Sequence, residues 1–252
     1  MRYLVLATDY DGTIARDGRV DAPTVAALER VRRSGRKIVL VSGRLLEDLA
    51  VVFPRLDLFE YVVAENGAVI HDPATHETKP LAEPPPERFV DALRERGVVP
   101  LGVGHVIVAT WHPYEDVVLE AIRACGLELQ VIFNKGAVMV LPAGIDKAFG
   151  LAAALAELEL SPHDAVAVGD AENDHAFLAA CACRVAVANA LPSLKERADW
   201  VTTGDHGAGV QELARLLVDE DLRGVATTAE RRAFATRDRM RAAIDRRYTA
   251  PA

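Results

Sequence analysis

The chain is poor in cysteine, in long apolar runs and in positive charge, and each scarcity removes a class of protein. Its three cysteines, Cys125, Cys181 and Cys183, form no C-x-x-C pair and have no histidine at zinc-ligand spacing. An odd set of this kind reads as buried or incidental thiols, not as a disulfide framework or a zinc site. The longest apolar stretches, such as Tyr3 to Ala7 and Lys37 to Val41, are strand-sized and fall far short of the roughly 20 residues that span a bilayer. No membrane span is expected. The N-terminus shows no basic region, apolar core and small-residue cleavage site in that order, so no signal peptide is read and a cytoplasmic location is expected. Lys and Arg number 29 against 37 Asp and Glu, a net charge of −8. An acidic body repels a polyanion, and nucleic acid is not an expected partner. There is no repeat of fixed period, and low complexity is confined to Pro84, Pro85 and Pro86.

What is present is an ordinary globular composition, 50% hydrophobic and 26% charged over 252 residues, enough for one large domain or two modest ones. Leu4 to Thr8 reads as a buried strand that ends in Asp-Tyr-Asp-Gly-Thr. Ala22 to Ser34 carries Val25, Leu28 and Val31 at three-residue steps, with Pro23 near its start and Gly35 just past its end, which spells a helix. A strand over Lys37 to Val41 ends in Ser-Gly-Arg, a helix covers Leu45 to Phe53, and a strand over Tyr61 to Ala64 ends in Glu-Asn-Gly. This alternation predicts parallel strands joined by crossover helices. At Pro80 the rhythm changes. A helix over Arg88 to Arg96, strands over Val98 to Gly102 and His105 to Thr110, a helix over Tyr114 to Cys125 and a hairpin of Leu127 to Phe133 with Ala137 to Leu141 spell α-β-β-α-β-β. After Pro142 the first pattern resumes, with helices over Lys147 to Glu159 and Asp174 to Ala180 and strands over Ala165 to Val168 and Arg184 to Val187. The expectation is an α/β protein with a Rossmann-like, doubly wound parallel sheet, residues 1–81 and 143–221, interrupted by a small α+β insert, residues 82–142.

In an open parallel sheet ligands bind outside the carboxyl ends of the strands. Those ends carry Asp9 and Asp11, Ser42, Glu65 and Asn66, and Asp170. Asp9 and Asp11 alternate about Tyr10, so on extended backbone their carboxylates point the same way. A cation relieves their repulsion, and an all-oxygen cluster completed by Asp170 and Asp174 suits a hard ion such as Mg²⁺. The Ser42 hydroxyl, the Gly43 amide at a helix start and the Lys147 ammonium are candidates for holding phosphate. Taken singly, each has a bland reading as a turn, a helix entry or a solvated lysine.

Together, Asp-x-Asp-Gly-Thr, Ser-Gly-Arg, a lone helix-start Lys and Gly-Asp-x-x-Asn-Asp follow in order, each at the expected strand or helix junction. From Met1 to about Leu222 the chain resembles the haloacid dehalogenase superfamily of phosphohydrolases, and its insert resembles the cap of the Cof-like subclass IIB. The resemblance implies Asp9 as nucleophile, with Asp11 as the acid that protonates the leaving oxygen and later activates water. It places Mg²⁺ on Asp9, the Asp11 carbonyl and Asp170, and the transferring phosphoryl group on Ser42, Gly43 and Lys147, with Asn173 as a further polar contact. Asp174 would orient Lys147 or metal waters, Thr13 would support the turn, and Asn66 would face the cap cleft. His105, Trp111, His112, Asn134 and Lys135 become the cap's candidates for specificity. The implied activity is Mg²⁺-dependent hydrolysis of a small phosphorylated metabolite, a sugar phosphate or a phosphoglycolate-like acid. Transfer to another hydroxyl, or sensing of a phosphorylated ligand, are the alternative readings.

The last stretch stands apart. Leu222 to Ala252 holds eight Arg against Glu230, Asp238 and Asp245, a net of +5 that leaves −13 on the rest. Ala229, Ala233, Met240, Ile244 and Tyr248 recur at helical spacing, so residues 222–252 read as a basic amphipathic helix. Such a helix can pack on its own chain, join a homodimer, lead into an additional domain or touch an anionic surface.

Overall fold

The computed structural model describes residues 1–225, so the basic helix read over 222–252 lies almost wholly outside the described residues. Two sheets organise the rest. The larger has eight strands in the order β12-β11-β10-β1-β2-β3-β4-β5. Its centre is β1 (Val5–Asp9), all five residues of which are buried. On one side lie β2 (Lys37–Val41) and β3 (Tyr61–Ala64), and on the other β10 (Ala165–Gly169), β11 (Cys183–Ala186) and β12 (Trp200–Val201), all parallel to it. The continuous apolar runs follow from this: a parallel strand covered on both faces has no solvent side on which to place polar residues.

The helices between them begin and end where local chemistry dictates. In α1 (Ala22–Arg33) the Asp21 carboxylate accepts the Thr24 N–H at 2.8 Å, Pro23 sits in the first turn, and Arg30, Arg32 and Arg33 face the negative end of the helix dipole. Helix α2 (Leu46–Val52) follows β2, α5 (Lys147–Glu157) leads into β10, and α6 (His175–Ala180) and the short α7 (Pro192–Lys195) flank β11. Helix α8 (His206–Glu220) packs on α1.

Two additions escape the sequence reading. Beyond β3 the sheet turns antiparallel through β4 (Val69–His71) and β5 (Thr78–Pro80), three-residue strands too short for an alternation pattern to register. The short pairing of β12 and the helix α8 likewise lie past the last element read from sequence.

The insert between β5 and α5 forms the second sheet, antiparallel throughout in the order β6-β7-β9-β8, from β6 (Gly102–Val103), β7 (Val108–Trp111), β8 (Leu129–Asn134) and β9 (Ala137–Pro142). Helices α3 (Glu87–Glu95) and α4 (Glu115–Ala124) cover one face, and Phe89, Leu93, Val98, Val118, Val138 and Val140 make a separate small core there. The other face looks toward the large sheet, where Met139, Leu141 and Ile132 join the main core.

Two strands of this insert differ from expectation. No strand runs over Val98 to Gly102, because Pro100 has no N–H for a ladder and Val98 is drawn under the cap helices; the strand is Gly102–Val103. Nor does one start at His105. The amides of His105, Val106 and Ile107 all donate to the Glu65 carboxylate at 2.8–2.9 Å, so pairing begins only at Val108.

Candidate active site

The chain leaves β1 toward β2 on one side of the sheet, and β10 occupies the other, so a crevice opens at the carboxyl end of β1. Asp9 ends β1, and Asp170 follows the last residue of β10. Both are buried.

Between them stands Lys147, the first residue of α5. Its ammonium is buried and donates at 2.6 Å to Asp9 Oδ1 and at 2.6 Å to Asp174 Oδ1. It is held there by backbone fit. A Cβ on Gly150 would strike Gly67, and one on Gly67 would strike the Asp146 carbonyl, so only two glycines let α5 press this closely onto the turn after β3. Gly67 also needs its φ of +103°. Asp146 caps α5 by accepting the Phe149 N–H at 2.9 Å.

Asp174 is fixed in turn: its second oxygen accepts the Asp170 and Ala171 amides at 2.8 and 2.9 Å. Asp170 accepts the Thr13 hydroxyl at 3.2 Å and the Lys135 ammonium at 2.7 Å. One oxygen each from Asp9, Asp170 and Asp174 falls within 4.8 Å of the others.

Crowded charge shifts these groups. Burial, then the Asp174 charge, pushes Asp9 up to about 8, although Lys147 pulls the other way. Burial likewise raises Asp170 against the opposing pull of Lys135. For Lys147 burial opposes the charged form, but the two carboxylates outweigh it and raise the pKa.

Asp11 lies at the mouth, with both oxygens gripped by Arg44, at 2.6 Å from Nε and 2.7 Å from Nη2. Ser42 is buried at the end of β2, and its hydroxyl accepts the Arg44 amide at 3.1 Å. Gly43 lines the cleft beside Asn173. Asn173 donates to Asn66 Oδ1 at 2.9 Å. Asn66 is thus buried beneath Asn173 instead of facing the cleft itself.

The insert roofs a cleft of about 460 Å³ whose walls include Asp9, Asp11, Lys147 and Asn173 from the large domain and Trp111, Asn134 and Lys135 from the cap. The Oδ1 atoms of Asn134 and Asn173 are buried without a hydrogen-bond partner. His105 and His112 are occupied elsewhere, the first beside Glu65 at 3.3 Å and the second on Glu115 at 2.8 Å.

Sequence reading places Glu65 at a strand end and Lys135 among the cap candidates, but the contacts these two and Arg44 make escape it. Arg44 was visible only as the third letter of Ser-Gly-Arg. Glu65, which straps the cap by three amides, has no local signature. The reach of Lys135 to Asp170 spans 35 positions and depends on a fold that no spacing encodes.

A sequence model described as a haloacid dehalogenase-like hydrolase matches residues 6–110 and 115–213. A phosphoglycolate phosphatase of Methanothermobacter thermautotrophicus is 31% identical over 220 residues, covering 83% of this chain and 96% of its own. Among solved structures, a haloacid dehalogenase-like hydrolase from Bacteroides thetaiotaomicron superposes with a TM-score of 0.71 at 19% identity, over 85% of this chain and 99% of its own. A sugar phosphatase of subclass IIB superposes at 0.65 and 19%, over 84% and 97%. With its doubly wound core, its inserted four-stranded cap and a family match over most of its length, this chain belongs to the haloacid dehalogenase-like hydrolases.

Proposed function

We propose that the protein is a Mg²⁺-dependent phosphatase that hydrolyses a small phosphate monoester through an aspartyl-phosphate, with phosphoglycolate the first substrate to try. The observation that carries this is the buried Asp9–Lys147–Asp174 chain beside Asp170, at the strand-end crevice. The relatives named as phosphoglycolate phosphatases support the choice of ester.

The residues fit a hard dication. The donors are all oxygens, and a cation already stands among them: Lys135 Nζ lies 2.7 Å from Asp170 Oδ2 and 3.4 Å from the Asp11 carbonyl. Asp9, the Asp11 carbonyl and Asp170 would hold Mg²⁺, which when bound neutralises phosphoryl charge and favours ionised Asp9.

An Asp9 carboxylate oxygen attacks phosphorus while the bond to the leaving oxygen breaks, and Asp11 gives that oxygen its proton. Asp11 then takes a proton from water as the water oxygen attacks phosphorus, and free phosphate leaves with Asp9 restored. Lys147, the Ser42 hydroxyl and the Gly43 amide stabilise the equatorial oxygens, while Asp174 keeps the Lys147 ammonium aimed at them. Arg44 fixes Asp11 until it exchanges that pairing for a proton.

The test is phosphate release from a panel of monoesters with Mg²⁺ and with chelator, for wild type and Asp9→Asn. Release that needs Mg²⁺ and vanishes in the variant is expected. Metal-independent release, or full activity in the variant, would refute the assignment.

A further inference from the structure

Among the described residues three cations line the cleft, and they differ in what holds them. Lys147 is shared by Asp9 and Asp174, and Arg44 is clamped on Asp11. Lys135 comes from the other domain, at the tip of the turn joining β8 to β9. Its backbone adopts φ +49° and the following Gly136 φ +87°, which turns the hairpin tip toward the crevice. Gly12 clears the approach: a Cβ at that position would run into both the Asp170 carboxylate and the Lys135 ammonium. Burial opposes the charge on Lys135, but its hydrogen bond to Asp170 and the charge of that carboxylate prevail and raise the pKa.

The two oxygens that Lys135 contacts, Asp170 Oδ2 and the Asp11 carbonyl, both belong to the donor set that fits Mg²⁺. A dication and an ammonium drawn to the same two oxygens repel each other at close range, so the metal weakens the hold on Lys135. Once Asp170 is engaged by metal, Lys147 keeps Asp174 and resting Arg44 keeps the Asp11 carboxylate, whereas Lys135 loses the one carboxylate it contacts. The freed ammonium, about half exposed at the cleft wall, is then available to pair with an anion that arrives with the substrate.

We propose that Lys135 occupies the cation seat of the metal-free protein, yields it to Mg²⁺, and then binds a carboxylate on the leaving group of the phosphate ester. Lys135 is on this view the specificity-determining residue of the cap, and the chain selects small phosphorylated acids over neutral esters. The selection rests on the phosphatase reading; the competition with metal does not.

Two measurements test it on the full chain. Calorimetric titration of Mg²⁺ without substrate compares wild type with Lys135→Met, and the variant is expected to bind the metal about 10-fold more tightly because no ammonium has to be displaced. Turnover of 2-phosphoglycolate is then compared with that of ethyl phosphate, which has similar size and no carboxylate. Lys135→Met is expected to lose about 10- to 100-fold in kcat/KM on phosphoglycolate and less than about 3-fold on ethyl phosphate, with Lys135→Arg recovering most of the difference. Unchanged Mg²⁺ affinity overturns the competition, and an equal loss on both esters overturns the carboxylate contact. A wild-type protein that binds Mg²⁺ yet cleaves neither ester refutes the phosphatase reading and the selection with it, while calorimetry still judges the competition.

Discussion

Core and cap hold their strands in opposite ways. In the core, β1 and β10 are buried at every residue, and the charges at their ends are locked in a chain of 2.6 Å contacts from Asp9 through Lys147 to Asp174. In the cap, β8 is nowhere fully buried, Trp111 and Phe133 are about half exposed, and a small apolar cluster lies under α3 and α4. The cap is tied down by a few polar contacts: Glu65 to three consecutive amides, Lys135 to Asp170, and Gln130 to the Ile145 carbonyl. The difference teaches a division of labour. The charged groups of the core meet where close packing allows one arrangement, and the cap's cleft-facing groups sit on a half-wet sheet that tolerates change.

If that division holds, substitutions should separate cleanly by domain. The largest effect is expected from Asp9→Asn, a loss of roughly 10⁴-fold or more in kcat with the far-ultraviolet circular dichroism unchanged. A loss of secondary structure instead would make Asp9 a structural residue. Asp11→Asn comes next, with kcat lower by about 10²- to 10⁴-fold and a phosphorylated protein accumulating, detectable by mass after acid quench. Absence of the adduct would limit Asp11 to the first half of the reaction.

Glu65→Ala probes the joint between the regions. It leaves the buried N–H groups of Val106 and Ile107, and the partly exposed one of His105, without an acceptor and is expected to lower stability by about 3 kcal/mol. Amide exchange should quicken at Val106 and Ile107 while β1 stays protected. Uniform quickening across both domains would show that core and cap unfold as one unit.

The smallest effect concerns the thiols. Burial pushes Cys181 and Cys183 in the core up to about 12, whereas Cys125 at the end of α4 is partly exposed. Iodoacetamide at pH 8 is expected to modify Cys125 first, because alkylation requires an accessible thiolate. Comparable rates at all three would mean that the core opens as readily as the cap.

Much of the core was legible because its signals are local. A run of apolar residues marks a strand covered on both faces, Pro23 marks a helix start, and Gly35 marks its end; each depends on a few neighbouring residues. The rim residues Asp9, Asp11, Ser42 and Asp170 could be placed from sequence because a parallel sheet puts all its strand ends on one side. The cap was legible in element order and not in detail. Pro100 removed one strand, and Glu65 took the amides that would have extended another, a contact between residues some 40 positions apart. Similarly, Asn66 followed the right strand, yet its side chain is covered by Asn173 from a distant turn.

Sequence by itself determined the alternation of strands and helices and which polar side chains follow the strand ends, because propensity, periodicity and motif order are read along the chain. Tertiary structure alone decided that Lys147 lies between two carboxylates, that Glu65 straps the cap, and that Lys135 reaches across the cleft to Asp170. These contacts join residues far apart in sequence, and they exist only once packing has fixed two backbones at one distance.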